Sequence, residues 1–94
     1  MIDGHAEVRA IFSLSRRERV AGADVTEGRM VRGASIRVLR DGQVVHESIV
    51  SSLRRFKEGA REVATGYECG VGVRGFTDFE VGDVLEVFRT EEAG

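Results

Sequence analysis

Ser35-Ile36-Arg37-Val38-Leu39-Arg40-Asp41-Gly42-Gln43-Val44-Val45-His46-Glu47-Ser48-Ile49-Val50 is the stretch on which the reading of the fold turns. Ile36 and Val38 share one face of an alternating segment and Arg37 takes the other, the period of a half-buried strand. Asp41-Gly42 follows, and a two-residue type I′ turn needs positive φ at both central positions, which Asp-Gly tolerates. Residues 35–40 and 43–50 are therefore expected to form an antiparallel hairpin.

Short alternating segments bounded by glycine continue on both sides of it. On the N-terminal side, 6–13 alternates, with Val8, Ala10 and Phe12 on one face and Glu7, Arg9 and Ile11 on the other. Residues 14–19 are polar and basic and read as a loop. A second strand is expected over 20–26, closed by Glu27-Gly28, and Met30-Val31 as a brief extended piece before a turn at Gly33. On the C-terminal side, 51–57 continues as a further strand after a bend. Residues 58–65 fit one helical turn or a structured loop equally well. A Gly- and Val-rich strand is expected over 66–74, a connection carrying Phe76 and Phe79 over 75–82, and a last strand over 83–90. No segment has the length and period of a core helix. Six or more short strands at this spacing imply an all-β domain, a small barrel or sandwich, and a barrel leaves no exposed edges.

The 94 residues are 41% hydrophobic and 32% charged, with 12 Gly, no Pro and no Trp, enough apolar material for one core. Residues 1–94 are accordingly read as a single domain. No apolar run approaches the roughly 20 residues of a membrane helix, and no signal peptide opens the chain. One cysteine excludes an internal disulfide and suits a reducing compartment. The net charge of −2 hides a gradient: residues 76–94 carry one basic and six acidic side chains, which leaves +3 on residues 1–75. Lys57 is the single lysine; every other cation is arginine, which forks onto phosphate or stacks on a base.

Several motifs fail on context. Gly70-Val71-Gly72-Val73-Arg74-Gly75 matches G-x-G-x-x-G, but these glycines lie inside a strand and no helix follows. The phosphate-loop pattern is absent. His5, His46 and Cys69 have no metal-ligand spacing, so no metal is expected. Cys69 with His46 leaves open a small thiol-dependent enzyme, against which a buried, inert thiol is the simpler reading. No acid/base pair stands out among Glu68, Asp78, Asp83 and Glu86. Gly70 and Gly72, two apart on one strand face, fit either sharp coiling or close approach of a ligand to the backbone. Two local features remain. Leu53-Arg54-Arg55-Phe56-Lys57 sets three cations around one aromatic, the ingredients of a single-stranded nucleic-acid contact or of a core Phe56 flanked by solvated arginines. In a strand, Arg54 and Phe56 would share one side and Arg55 and Lys57 the other. Gly66-Tyr67-Glu68-Cys69-Gly70 places small residues beside a thiol and fits a shallow apolar pocket.

Taken together, the chain resembles the C-terminal domain of bacterial translation initiation factor two. The tags are Ala6-Glu7-Val8-Arg9 with Phe12, Ala21-Gly22 with Val25-Thr26-Glu27-Gly28, Ile36-Arg37-Val38-Leu39-Arg40, Ser52-Leu53-Arg54-Arg55-Phe56-Lys57, Glu62-Val63, Gly66-Tyr67-Glu68-Cys69-Gly70 and Gly82-Asp83-Val84-Leu85-Glu86. They fall in the family's order and spacing. The resemblance implies a closed antiparallel β-barrel similar to domain II of elongation factor Tu-like translation GTPases, present here as a C-terminal fragment of a larger factor. It implies binding of the formyl-methionyl 3′ end of initiator tRNA through Arg54, Arg55, Phe56, Lys57, Glu68, Cys69 and Gly70, with Ala23 as a pocket wall where many members carry a second Cys. Many members also have Tyr where Phe56 stands, so a hydroxyl is missing. It further implies a cytoplasmic, monomeric binding module that is no enzyme and holds no cofactor, GTP and magnesium belonging to the nucleotide domain of the parent factor, which meets the ribosome. A structural barrel of a translation GTPase that does not bind tRNA is the alternative.

Overall fold

Asp41 and Gly42 both take positive φ, 53° and 78°, and Arg40 faces Gln43 across them, so the expected hairpin forms. In the computed structural model, which describes residues 2–56 and 58–89, this hairpin joins β3 (Ser35–Arg40) to β4 (Gln43–Arg55). The other strands are β1 (Ile2–Ser13), β2 (Arg19–Val31), β5 (Glu58–Gly59), β6 (Glu62–Ala64), β7 (Glu68–Val73) and β8 (Val84–Phe88). Around the sheet the order is β1-β8-β3-β4-β7-β2, and β2 pairs back with β1, closing an antiparallel barrel. β6 extends the far end of β2, and β5 folds back on the end of β4.

Several expectations need correction. Residues 20–31 form one strand where two were expected, and 43–55 likewise form one. The bend expected near Ser51 is a β-bulge between Val50 and Ser52, which turns β4 without breaking it. Residues 58–65 contain no helical turn; they supply β5 and β6. A further bulge between Val8 and Ala10 splits the expected common face of Val8, Ala10 and Phe12. Val8 is fully buried, whereas Phe12 is 54% exposed on the outside of the barrel. Bulges let long strands curve around a closed barrel, and each one reverses the inside–outside alternation beyond it.

The core is built from small branched side chains: Val8, Ile36, Val38, Leu53, Val71, Leu85 and Val87 are all at or near zero exposure, with Met30 and Phe79 filling the ends. Burial of each Val or Leu contributes about 1.5–3 kcal/mol. One wall is tied by charge. Arg40 donates to both carboxylate oxygens of the buried Asp83, at 3.0 and 2.9 Å, and to the Asp78 carbonyl. Arg37 donates to Glu47 and Glu86, while both ring nitrogens of His5 lie at hydrogen-bond distance from Glu27 and Glu86. Burial alone would push the Asp83 carboxyl up, but the Arg40 guanidinium and the Glu80 N–H outweigh it and hold the group below the usual range. Glu86 is held low as well, first by His5 and then by Arg37, against the opposing effect of burial.

Candidate functional site

The site follows from how β7 is paired. Gly70 and Val71 have neighbours on both sides: Gly22 and Ala21 of β2, Arg54 and Leu53 of β4. Toward the start of β7, Glu68 and Cys69 keep only their β2 partners, Asp24 and Ala23. β4 has left the ladder after Arg54 to pair with β5. The parting of β4 from β7 opens a cleft of about 1000 Å³. Arg54, Arg55 and Phe56 form one wall, Glu68, Cys69, Gly70 and Ala23 lie across from them, and the turn side carries Gly66 and Tyr67. The extended arm of β1 and β2, with Ala10, Phe12, Leu14 and Val20, forms the third side.

All the described residues singled out from sequence thus border one cavity; Lys57 lies outside the described residues. Their orientations differ from the simple alternation expected. Phe56 is in a turn, past the end of β4, with φ of 58° and 92% of its surface exposed, which overturns the reading of a core phenylalanine. A bulky residue in the left-handed region is an outlier that the surrounding structure must hold in place. Arg55 lies beneath two rings, its guanidinium carbon 4.3 Å from the Tyr67 centroid and 5.1 Å from that of Phe56. Its Nε is buried and has no hydrogen-bond acceptor among the described residues.

Ala23 and Cys69 face each other across β2 and β7 and are 1% and 6% exposed. Both side chains belong to the core, so little of either is open to a ligand. Burial, with Asp24 nearby, pushes the Cys69 thiol up to about 11, the opposite of an activated nucleophile. His46 sits toward the other end of β4, stacked on Phe76 at 4.9 Å and bonded to the Arg74 carbonyl. The pairing of Cys69 with His46 required for a thiol-dependent enzyme is therefore not formed.

The floor between the walls is the cross-strand pair Gly22 and Gly70. Gly22 is constrained by packing, since a Cβ there would stand 2.6 Å from Cε2 of Phe12 and the half-exposed ring would have to move aside. Gly70 is not: a Cβ would meet only Val20 Cγ2, at 4.0 Å, and its φ is not positive. Sharp coiling accordingly does not account for Gly70. Electrostatically the cleft is divided. Asp24 and Glu68 face each other across β2 and β7, with Arg9 bonded to Asp24 at 3.0 Å, and Arg54 and Arg55 on the β4 wall have no carboxylate partner among the described residues. Phe12 and Tyr67 were not among the expected ligand-contacting residues; each belongs to one of the quoted tags, and that was the available signal. Among the described residues no cluster of His, Cys, Asp or Glu suits a metal ion, and no helix is long and apolar enough to cross a membrane.

Comparison with known proteins places this barrel. Residues 18–86 match the family model for elongation factor Tu domain 2. Translation initiation factor IF-2 of Thermus thermophilus is 58% identical over 89 residues, covering 95% of this chain and 16% of that protein. IF-2 of Chloroflexus aggregans is 54% identical over 93 residues, covering 98% of this chain and 12% of the relative. This chain thus spans less than a fifth of the length of either relative. Among solved structures, translation elongation factor SelB of Methanococcus maripaludis, in complex with the GTP analogue GppNHp, superposes with a TM-score of 0.72. It is 20% identical, over 87% of this chain and 18% of that one, a likeness of fold. The closed six-strand barrel and the match over residues 18–86 together make this chain a member of the elongation factor Tu domain 2 family.

Proposed function

We propose that this barrel is the C-terminal domain of an initiation factor two and binds the formyl-methionyl 3′ end of initiator tRNA in the cleft between β4 and β7. The observation that supports this most directly is the convergence of Arg54, Arg55, Phe56, Glu68 and Gly70 on one cavity, from stretches a dozen residues or more apart. Gly70 gives the ligand a bare backbone floor. Phe56, held outward by its turn, offers a ring on which the terminal base stacks. Arg55, fixed under Tyr67, carries an Nε–H donor that lacks an acceptor among the described residues, and a ligand carbonyl or phosphate oxygen would satisfy it.

Selection of the formylated amino acid follows from charge. Formylation turns an ammonium into a neutral amide, which can be buried at modest cost once hydrogen-bonded. An ammonium beside Arg54 and Arg55 would meet two like charges as well as the desolvation penalty. Arg54 and Arg55, with Lys57 in the same segment, neutralise phosphates, a contribution that weakens with salt. The surrounding factor supplies the GTPase domain and the ribosome contact, and the complex acts in the cytoplasm.

Amide-resolved titration with formyl-methionyl-adenosine and with methionyl-adenosine tests the reading. The formylated ester should shift the signals of Glu68, Cys69 and Gly70 and bind at least tenfold more tightly, and Arg55→Ala should remove at least tenfold of that affinity. Equal affinity for the two esters would refute the pocket. A scaffold barrel without tRNA binding is the second reading; it is favoured by the family match itself, which is to a domain 2 model, and the absence of any shift would decide for it.

A further inference from the structure

β7 parts from its neighbours twice. Besides the parting from β4, its ladder with β2 stops at Ala21 and Val71. Beyond that pair, Val20 and Arg19 continue along β1, facing Phe12 and Ser13, whereas Gly72 and Val73 continue along β4. A second groove of about 220 Å³ opens between them, and Val20 borders both cavities. Arg17, Arg19 and Arg74 rim this groove, with one carboxylate, Glu18, among them. All three arginine side chains are exposed, and none has an ion pair or hydrogen bond within the described residues. Ser51 and Ser52 also line it, and their hydroxyls have no partner among the described residues. A Cβ on Gly72 would run into them, so glycine there leaves room for the hydroxyls.

Three unengaged guanidinium groups above two free hydroxyls, in a protein of net charge −2, form a site for a doubly liganded anionic oxygen. Its continuity with the first cleft through Val20 determines which anion. We propose that the groove is a phosphodiester subsite, which takes the single-stranded RNA as it leaves the cleft, so that the strand runs from Gly70 across Val20 to Arg17, Arg19 and Arg74. This deepens the tRNA reading and rests on it for the position of the aminoacyl end. Arg17, Arg19 and Arg74 hold phosphates and carry no base preference, because none of them is set against a stacking ring or a fixed acceptor.

Three probes test the two sites separately on the full chain: formyl-methionyl-adenosine, the same ester on the 3′ end of a pentanucleotide, and a hexaglutamate peptide. The pentanucleotide ester should bind the protein at least tenfold more tightly than the nucleoside ester at low salt. The R17Q/R19Q/R74Q variant should lose that gain while binding the nucleoside ester as before, and its slope of log affinity against log salt should fall by about 2. Should the triple variant fail to bind the nucleoside ester through misfolding, Arg74→Gln alone should still remove severalfold of the gain. A pentanucleotide that binds no tighter than the nucleoside, or a gain that survives the triple variant, overturns the groove and leaves the cleft standing. A nucleoside ester that does not bind the unaltered protein overturns the cleft, and with it the path of the strand. Displacement of the pentanucleotide by hexaglutamate at equal charge would show a general anion surface and also overturn the RNA subsite.

Discussion

Arginine does two different jobs on opposite walls of this barrel. On the wall of β3 and β8, Arg37 and Arg40 are locked to Glu47, Glu86 and Asp83, and Arg37 also lies 3.9 Å from the Phe88 ring centroid. On the wall of β4, β7 and β2, Arg17, Arg19, Arg54 and Arg74 have no side-chain partner among the described residues, and Arg55 has only aromatic rings. The first set replaces water with fixed carboxylates and ties strands together. The second leaves its donors without a carboxylate partner among the described residues. The same residue type is structural or available according to whether its side chain engages an acid: Arg37 reaches Glu47 and Glu86, whereas Arg55 has Glu58 across the ladder and forms no ion pair with it. Overall charge, at −2, conceals this division.

Four substitutions and an acid titration probe the division. Asp83→Ala should have the largest effect, since it removes a carboxylate that is 2% exposed, takes two acceptor oxygens from Arg40, which keeps the Asp78 carbonyl and Glu80, and orphans the Glu80 N–H. A loss of about 3 kcal/mol in urea unfolding is expected, with the cleft's affinity per folded molecule unchanged. A drop below about 0.5 kcal/mol would mean that this wall is not held by charge. Acid should act on the same wall. Asp83 and Glu86 have folded values below their unfolded ones, so their contribution is complete above about pH 4 and is lost as pH falls through the lowered folded values. Asp83→Asn should flatten that acid limb in a melting series, and an unchanged limb would count against the assignment.

The available wall should respond in the opposite sense. Phe56→Gly removes an exposed ring at φ 58°, so folding stability should hold or rise by up to about 1 kcal/mol while binding of the formyl-methionyl ester weakens. The smallest stability change is expected for Gly70→Ala. With 4.0 Å to Val20 Cγ2 there is room for the methyl group, and alanine should stabilise the strand by about 0.5 kcal/mol or less. Its methyl should nonetheless obstruct the floor and cost severalfold in affinity. If either variant lost stability and kept affinity, the division between the walls would be wrong.

The hairpin at Asp41-Gly42 and the all-β barrel were legible because turn chemistry and alternation are local. The bulges near Arg9 and Ser51 were not, since they arise from closing the sheet, and local patterns continue through them. That is why Phe12 read as sharing the face of Val8 and lies instead over Gly22. The two halves of the candidate site, Arg54 to Phe56 and Glu68 to Gly70, were visible as residue types. Their adjacency depends on where the ladder between β4 and β7 stops, a long-range fact. Cys69 read as a pocket residue, but strand alternation turned its side chain into the core and left Gly70 facing out.

The pairing of β7 also has a dynamic consequence. Only Gly70 and Val71 are clamped between two neighbouring strands; Glu68 and Cys69 are held by β2 alone and Gly72 by β4 alone, while Val73 pairs with β4 and is bridged to Phe76. Amide hydrogens at the middle should therefore exchange with solvent more slowly than those at Glu68, Cys69 and Gly72. The centre of β7 would then serve as a pivot, with the Glu68–Cys69 end the looser of the two, so a guest seated at that end should be accommodated without disturbing the other.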